Sequence, residues 1–141
     1  MVAWLLRVVL LVLVALAAGW ATWWGLRGQP IVAELGALAL LLLHASVLAV
    51  EFVLVPIANR ADPVPRASLR ELACAWCNES RLGLRVFAWQ MPFRALAHPD
   101  HIPADASGRR GVLFVHGFMC NRAVWNTWLP RLRARGAPFI A

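Results

Sequence analysis

His116-Gly117-Phe118 follows directly on the apolar run Gly111-Val112-Leu113-Phe114-Val115. A glycine after such a run permits backbone turns that side chains forbid, so the next amide nitrogens can be aimed at a cavity. Acyl transfer uses amides of that kind, because they stabilise the negative oxygen of a tetrahedral intermediate. His116, Gly117 and the amide of Phe118 are therefore the residues here with the clearest chemical potential.

Other reactive groups read more plainly. Cys74 and Cys77 form one C-x-x-C, without the second pair that zinc requires or the preceding strand that a redox motif requires. Two small residues on a helix account for them. The sequence His98-Pro99-Asp100-His101 has metal-ligand residue types, but Pro99 and Pro103 make it a turn within an exposed loop at residues 98–111. No metal site and no cofactor is expected. Cys120 lies in the glycine loop without a positioned base and reads as a core thiol. None of Ser46, Ser68, Ser80 and Ser107 stands in a strand-to-helix elbow of the kind a serine nucleophile occupies.

The elements that would hold the loop are legible on both sides of it. Residues 112–115 look like a parallel strand buried on both faces. Downstream, Trp125, Trp128, Leu129 and Leu132 share one helical face, and Pro130 delays or kinks that helix. Gly136 is a natural helix stop, and residues 137–141 resemble the opening of another strand. Strand, glycine turn, helix and strand together make a βαβ unit.

Upstream the composition changes. The chain of 141 residues is 61% hydrophobic, and residues 1–58 carry only Arg7, Arg27, Glu34 and Glu51 as charges. Residues 8–26 contain no charge and would reach roughly 28 Å as a helix, close to a bilayer core. Trp20, Trp23 and Trp24 gather at its far end, where indoles favour the headgroup boundary. Arg27-Gly28-Gln29-Pro30 forms a polar turn, and residues 31–58 make a second apolar run with His44 near its middle. An intramembrane ionisable residue is a functional candidate, but an imidazole bonded to the partner helix is the preferred account of His44, because no polar residue on the first helix pairs obviously with it. The expectation is a two-helix anchor over residues 1–58; a cleaved signal segment is the alternative for the first run. Arg7 on one flank and Arg60, Arg66 and Arg70 on the other outnumber Arg27 in the turn, which places both ends in the cytoplasm.

Residues 59–67 are a proline-punctuated linker. Ser68-Leu69-Arg70-Glu71 is a capping box, and Leu69, Leu72, Ala73 and Trp76 give the helix after it one apolar face. That face could pack on a soluble domain or lie along the membrane surface. Residues 82–93 read as a strand or hairpin arm. The net charge of +7 is scattered among apolar residues, so contact with anionic lipid is expected and nucleic acid is not.

Residues 109–141, with Val-His-Gly-Phe-Met-Cys-Asn-Arg and then Trp125, resemble the third strand, oxyanion loop and first helix of α/β-hydrolases. The nearest likeness is to membrane-anchored bacterial lipases and esterases of the triacylglycerol-lipase type. The resemblance implies a mostly parallel α/β sheet starting within residues 68–141. It implies that Phe118 gives one oxyanion amide, that Gly117 frees the loop, and that His116 shapes it without belonging to a triad. It also implies a multi-pass protein of the bacterial inner membrane that acts on ester or lipid substrates. In that family serine, acid and histidine follow in this order after the oxyanion loop. All three would lie beyond Ala141, so the 141 residues are expected to be an amino-terminal portion, inactive alone. The alternative is a small non-catalytic integral membrane protein whose tail binds a partner or lipid.

Overall fold

A computed structural model describes residues 1–63 and 65–141; Val64, within the expected linker, lies outside the described residues. The chain divides into two units, Val9–Leu84 and Met1–Val8 with Arg85–Ala141.

In the first unit the apolar runs become helices, because each backbone group then finds its partner within the element. Helix α1 (Val2–Gly25) is the only single helix among the described residues that is long and apolar enough to cross a membrane. It ends in a turn at Gly28, whose φ of 69° favours glycine, and Gln29 N donates to Trp24 O at 3.0 Å. Pro30 then opens α2 (Pro30–Leu41), where its missing N–H costs nothing. Trp20 closes this corner: its indole N–H donates to Val32 O at 2.9 Å and its ring lies on Gly36.

The second apolar run is not one continuous helix, and the expected two-helix hairpin is corrected accordingly. It is α2 and α3 (Leu43–Ala58), bent by 70° at Leu42. Ser46 contributes to the break, since its hydroxyl donates back to Leu42 O at 3.2 Å.

Helix α4 (Leu69–Gly83) starts at the capping box. Ser68 N donates to the Glu71 carboxylate at 2.7 Å, and Glu71 N donates to Ser68 Oγ at 3.3 Å. The backbone bond from Ser68, then the side-chain bond, holds the Glu71 carboxyl below the usual carboxylate range. The apolar face of α4 turns to α3, and Trp76 Nε1 donates to Ala45 O at 2.8 Å.

Residues 82–93, expected as a strand, are helical. A wide π-type stretch, Leu84–Gln90, and the single turn α5 (Met91–Phe93) continue directly from α4. Gly83 does not end the helix: it lies against the His44 imidazole, and Leu84 stays in helical geometry.

The second unit is built from short pieces. Strand β1 (Val112–Leu113) pairs in parallel with β2 (Phe139–Ile140), Val112 opposite Phe139 and Leu113 opposite Ile140. Between them lie a 3₁₀ turn, Arg122–Trp125, and α6 (Leu129–Ala134), which begins late because of Pro130. Gly136 closes α6 with a φ of 62°. His101 bridges the Phe139 backbone in antiparallel fashion, at 3.0 and 2.8 Å. Met91, Ala123, Leu129 and Phe139 form the core.

The expected α/β-hydrolase sheet is not found. The molecule is 62% helical and its sheet has two strands. Strand β1 is not buried on both faces either: Val112, Leu113 and Val115 are exposed. A parallel strand is stable as a continuous apolar run when layers cover both faces, and no such layers stand over β1 among the described residues.

Candidate functional site

The glycine loop leaves β1 through Phe114, whose N–H donates to Ile140 O at 2.9 Å and whose ring packs on Trp125 with centroids 5.0 Å apart. These contacts fix where the loop starts. Gly117 O then acts as its pivot. The Cys120 amide donates to it at 3.0 Å, and His116 Nδ1 lies 3.1 Å from it, a bond that requires the proton on Nδ1. His116 thereby braces the turn from an exposed position.

Gly117 itself is not in the left-handed region, and a Cβ there would meet open space. The special freedom expected of it is not used in this conformation. Phe118 is 97% exposed, and Met119 beside it is exposed as well. Among the described residues, no acceptor receives the amide of Phe118 or Met119. Two unpaired amides in one turn can receive an anionic oxygen.

The far end of the loop is held by a pair whose role the sequence reading missed. Asn121 caps the 3₁₀ turn by accepting from Ala123 N at 3.0 Å, and its amide nitrogen donates to Met91 O at 2.9 Å. Arg122 donates through Nη2 to His98 O at 2.8 Å and to the Asp100 carboxylate at 2.7 Å. An asparagine before a short helical turn is a recognisable cap; the partners of Arg122 leave no local signal.

Residues 98–101 are accordingly structural. Their carbonyls receive Arg122 and Arg133, and His101 bridges β2. No group of three or more His, Cys, Asp or Glu side chains could hold a metal among the described residues. Cys74 and Cys77 are free and exposed on α4, and Cys120 is a half-buried free thiol. His44 lies beside Gly83, within the first unit.

Comparison with protein-family models, curated proteins and solved structures finds no match.

Proposed function

We propose that these residues form the bilayer-anchored, oxyanion-side portion of an ester hydrolase acting on lipid or acyl esters. The observation that carries this reading is the pair of unpaired amides at Phe118 and Met119, in a turn braced by His116 and Gly117 O. The lipase-like loop sequence and the membrane-length α1 support it. In this mechanism the Phe118 amide receives the carbonyl oxygen as it gains charge. A serine attacks, and a histidine–acid pair moves its proton; these groups come from outside the described residues.

The bacterial inner membrane, with the catalytic side in the cytoplasm, fits the arginine distribution. Arg7 adds support. Its Nε donates to Pro92 O at 2.8 Å and its guanidinium lies over Phe93, so the amino-terminal turn and residues 91–93 share one side. If α1 crosses, the chain must cross back before Arg85, and the bent α2–α3 pair is the apolar stretch available for that return.

A second reading is a non-catalytic membrane protein whose exposed Phe118 and Met119 bind a partner or lipid. One experiment separates the two. The native protein is captured from its own membranes after treatment with a fluorophosphonate, which traps activated serines. Labelling supports the hydrolase; an unlabelled protein sinks it in favour of the second reading. In the labelled enzyme, Phe118→Pro removes the amide and should lower kcat by about 10²–10³-fold. Phe118→Ala keeps the amide and should retain most activity.

A further inference from the structure

Met91 and Pro92 are fully buried, and both of their carbonyls are bonded by distant side chains. The Met91 carbonyl accepts from the Asn121 amide of the glycine loop at 2.9 Å. The Pro92 carbonyl accepts from Arg7 Nε of α1 at 2.8 Å. Two consecutive carbonyls thus clamp the start of α1 and the glycine loop to one short segment. An aromatic patch adjoins the clamp. Trp89 and Phe93 pack with ring centroids 5.6 Å apart, and the Arg7 guanidinium lies 5.4 Å from the Phe93 centroid. Core packing does not account for the pair: Trp89 is 57% and Phe93 49% exposed, and Trp4, about one turn before Arg7 on α1, is exposed as well.

The carboxyl end of α1 indicates what such a patch meets. There the Arg27 guanidinium lies 3.4 Å from the Trp23 centroid, and Arg27 directly follows the charge-free residues 8–26. Arg7 directly precedes the same run. As a helix the run rises roughly 28 Å, close to the depth of a bilayer core, so a crossing α1 brings both arginine–aromatic pairs to headgroup level. Indoles favour that boundary, and arginines extend their charge into it. The carboxyl end draws its aromatics from α1 itself, as Trp20, Trp23 and Trp24; at the amino end α1 supplies Trp4 alone. Trp89 and Phe93 complete that belt. Arg7 uses Nε on the Pro92 carbonyl, and its terminal nitrogens remain for a lipid phosphate.

We propose that Trp4, Arg7, Trp89 and Phe93 form an interfacial seat that rests in the phospholipid headgroup layer at the amino end of α1, with a lipid phosphate on Arg7. The seat presupposes that α1 spans the bilayer, as in the function proposed above. Through Asn121 on the Met91 carbonyl, it ties the glycine loop to the membrane anchor, an arrangement suited to an ester that stays in the bilayer.

The test places a photoreactive benzophenone side chain at one position at a time in the full chain, in vesicles of phosphatidylethanolamine and phosphatidylglycerol. The position of Val12, in the middle of α1, reports whether α1 lies in the bilayer. The positions of Trp89 and Phe93 report the seat, and both are exposed enough to take the probe without repacking. Lipid adducts, read by mass spectrometry, are expected at all three. Arg7→Gln keeps the rings and removes the guanidinium. It should lower the adducts at Trp89 about three- to ten-fold, the scale of one cation–ring contact and one hydrogen bond, and leave those at Val12 unchanged. Circular dichroism checks its helix content; should it misfold, the probes in the chain with Arg7 intact still decide. Adducts at Val12 with none at Trp89 or Phe93 would overturn the seat and leave the anchor standing, whereas adducts at none of the three would overturn both. Cross-links from Trp89 to a second copy of the chain in place of lipid, or full labelling in a folded Arg7→Gln chain, would also overturn the proposal.

Discussion

The helices of Val9–Leu84 and the short elements of Arg85–Ala141 answer the same backbone problem in opposite ways. A buried N–H or C=O must be paired. In the first unit, helices do this within each element, and side chains add a few clasps such as Trp20 to Val32 O and Trp76 to Ala45 O. In the second, strands of two residues and helical pieces of three to seven leave many carbonyls without a ladder. Side chains reach them from far along the chain: Asn121 to Met91 O, Asn126 to Arg94 O, Arg122 to His98 O, Arg133 to Pro99 O and Arg109 to Gly136 O. These partners stand 24 to 34 residues apart. One region rests on local bonds, the other on distant arginine and asparagine forks.

The hardest strike on this contrast is Leu129→Ala. Leu129 is fully buried in the core of the second unit. Losing its side chain should cost about 2–5 kcal/mol, the usual range for a buried leucine. Hydrogen exchange on the intact chain should then speed up across Arg85–Ala141 while the amides of α4 keep their rates. Equal acceleration in both would show one cooperative unit and break the comparison.

The helical unit has its own weak point, at glycines that a propensity scale would replace. Alanine at a solvent-facing helix glycine gains up to about 1 kcal/mol. At Gly36 the new methyl would fall on the Trp20 indole and dislodge its bond to Val32 O. Gly36→Ala should therefore destabilise, by about 1–3 kcal/mol as for other overpacked sites. Thermal melts with tryptophan emission would check the sign. A higher Tm would mean that Trp20 moves aside freely.

Arg122→Ala probes the distant bonds. Nη2 of Arg122 serves a carbonyl and a carboxylate at once, and its side chain is 17% exposed. Removing it leaves His98 O unpaired and should cost about 1–3 kcal/mol. Arg133→Ala removes one bond to Pro99 O and should cost about 0.5–1.5 kcal/mol. Urea titration of the two variants ranks them; the reverse order would mean that the Asp100 contact adds nothing.

That same contrast explains what could be read in advance. The capping box at Ser68, the apolar face of α4, the turn at Gly28 and the stop at Gly136 all follow from residues within one helical turn of each other. The bend at Leu42 and the helical course of residues 84–93 do not, because tertiary contacts decide them. Gly83 is a stop by local rules and a contact for His44 in three dimensions. At the glycine loop, sequence located the turn but not the exposure of Phe118 and Met119. It could not show that His116 braces Gly117 O or that Arg122 reaches across to residues 98–100. The broad sheet was expected from a resemblance in about thirty residues; β1 pairs with β2 and remains exposed.

The smallest effect tests the most local bond of all. Glu71 is fully exposed, yet its carboxyl titrates below the usual range because the Ser68 amide, and then the Ser68 hydroxyl, donate to it. Its folded pKa is thus depressed relative to the unfolded chain. The stability it adds to the start of α4 is present above the unfolded pKa and is lost as pH falls through the folded pKa. Amide exchange at residues 69–72 should quicken over that acidic window and nowhere near neutrality. Ser68→Ala removes the cap oxygen, at a cost of about 1 kcal/mol to the helix start. It keeps the backbone donor, which is the larger cause of the shift, so part of the pH dependence should survive. Glu71→Gln removes the titrating group, and the dependence should vanish. If Ser68→Ala erased it completely, the hydroxyl and not the backbone amide would be holding the carboxylate.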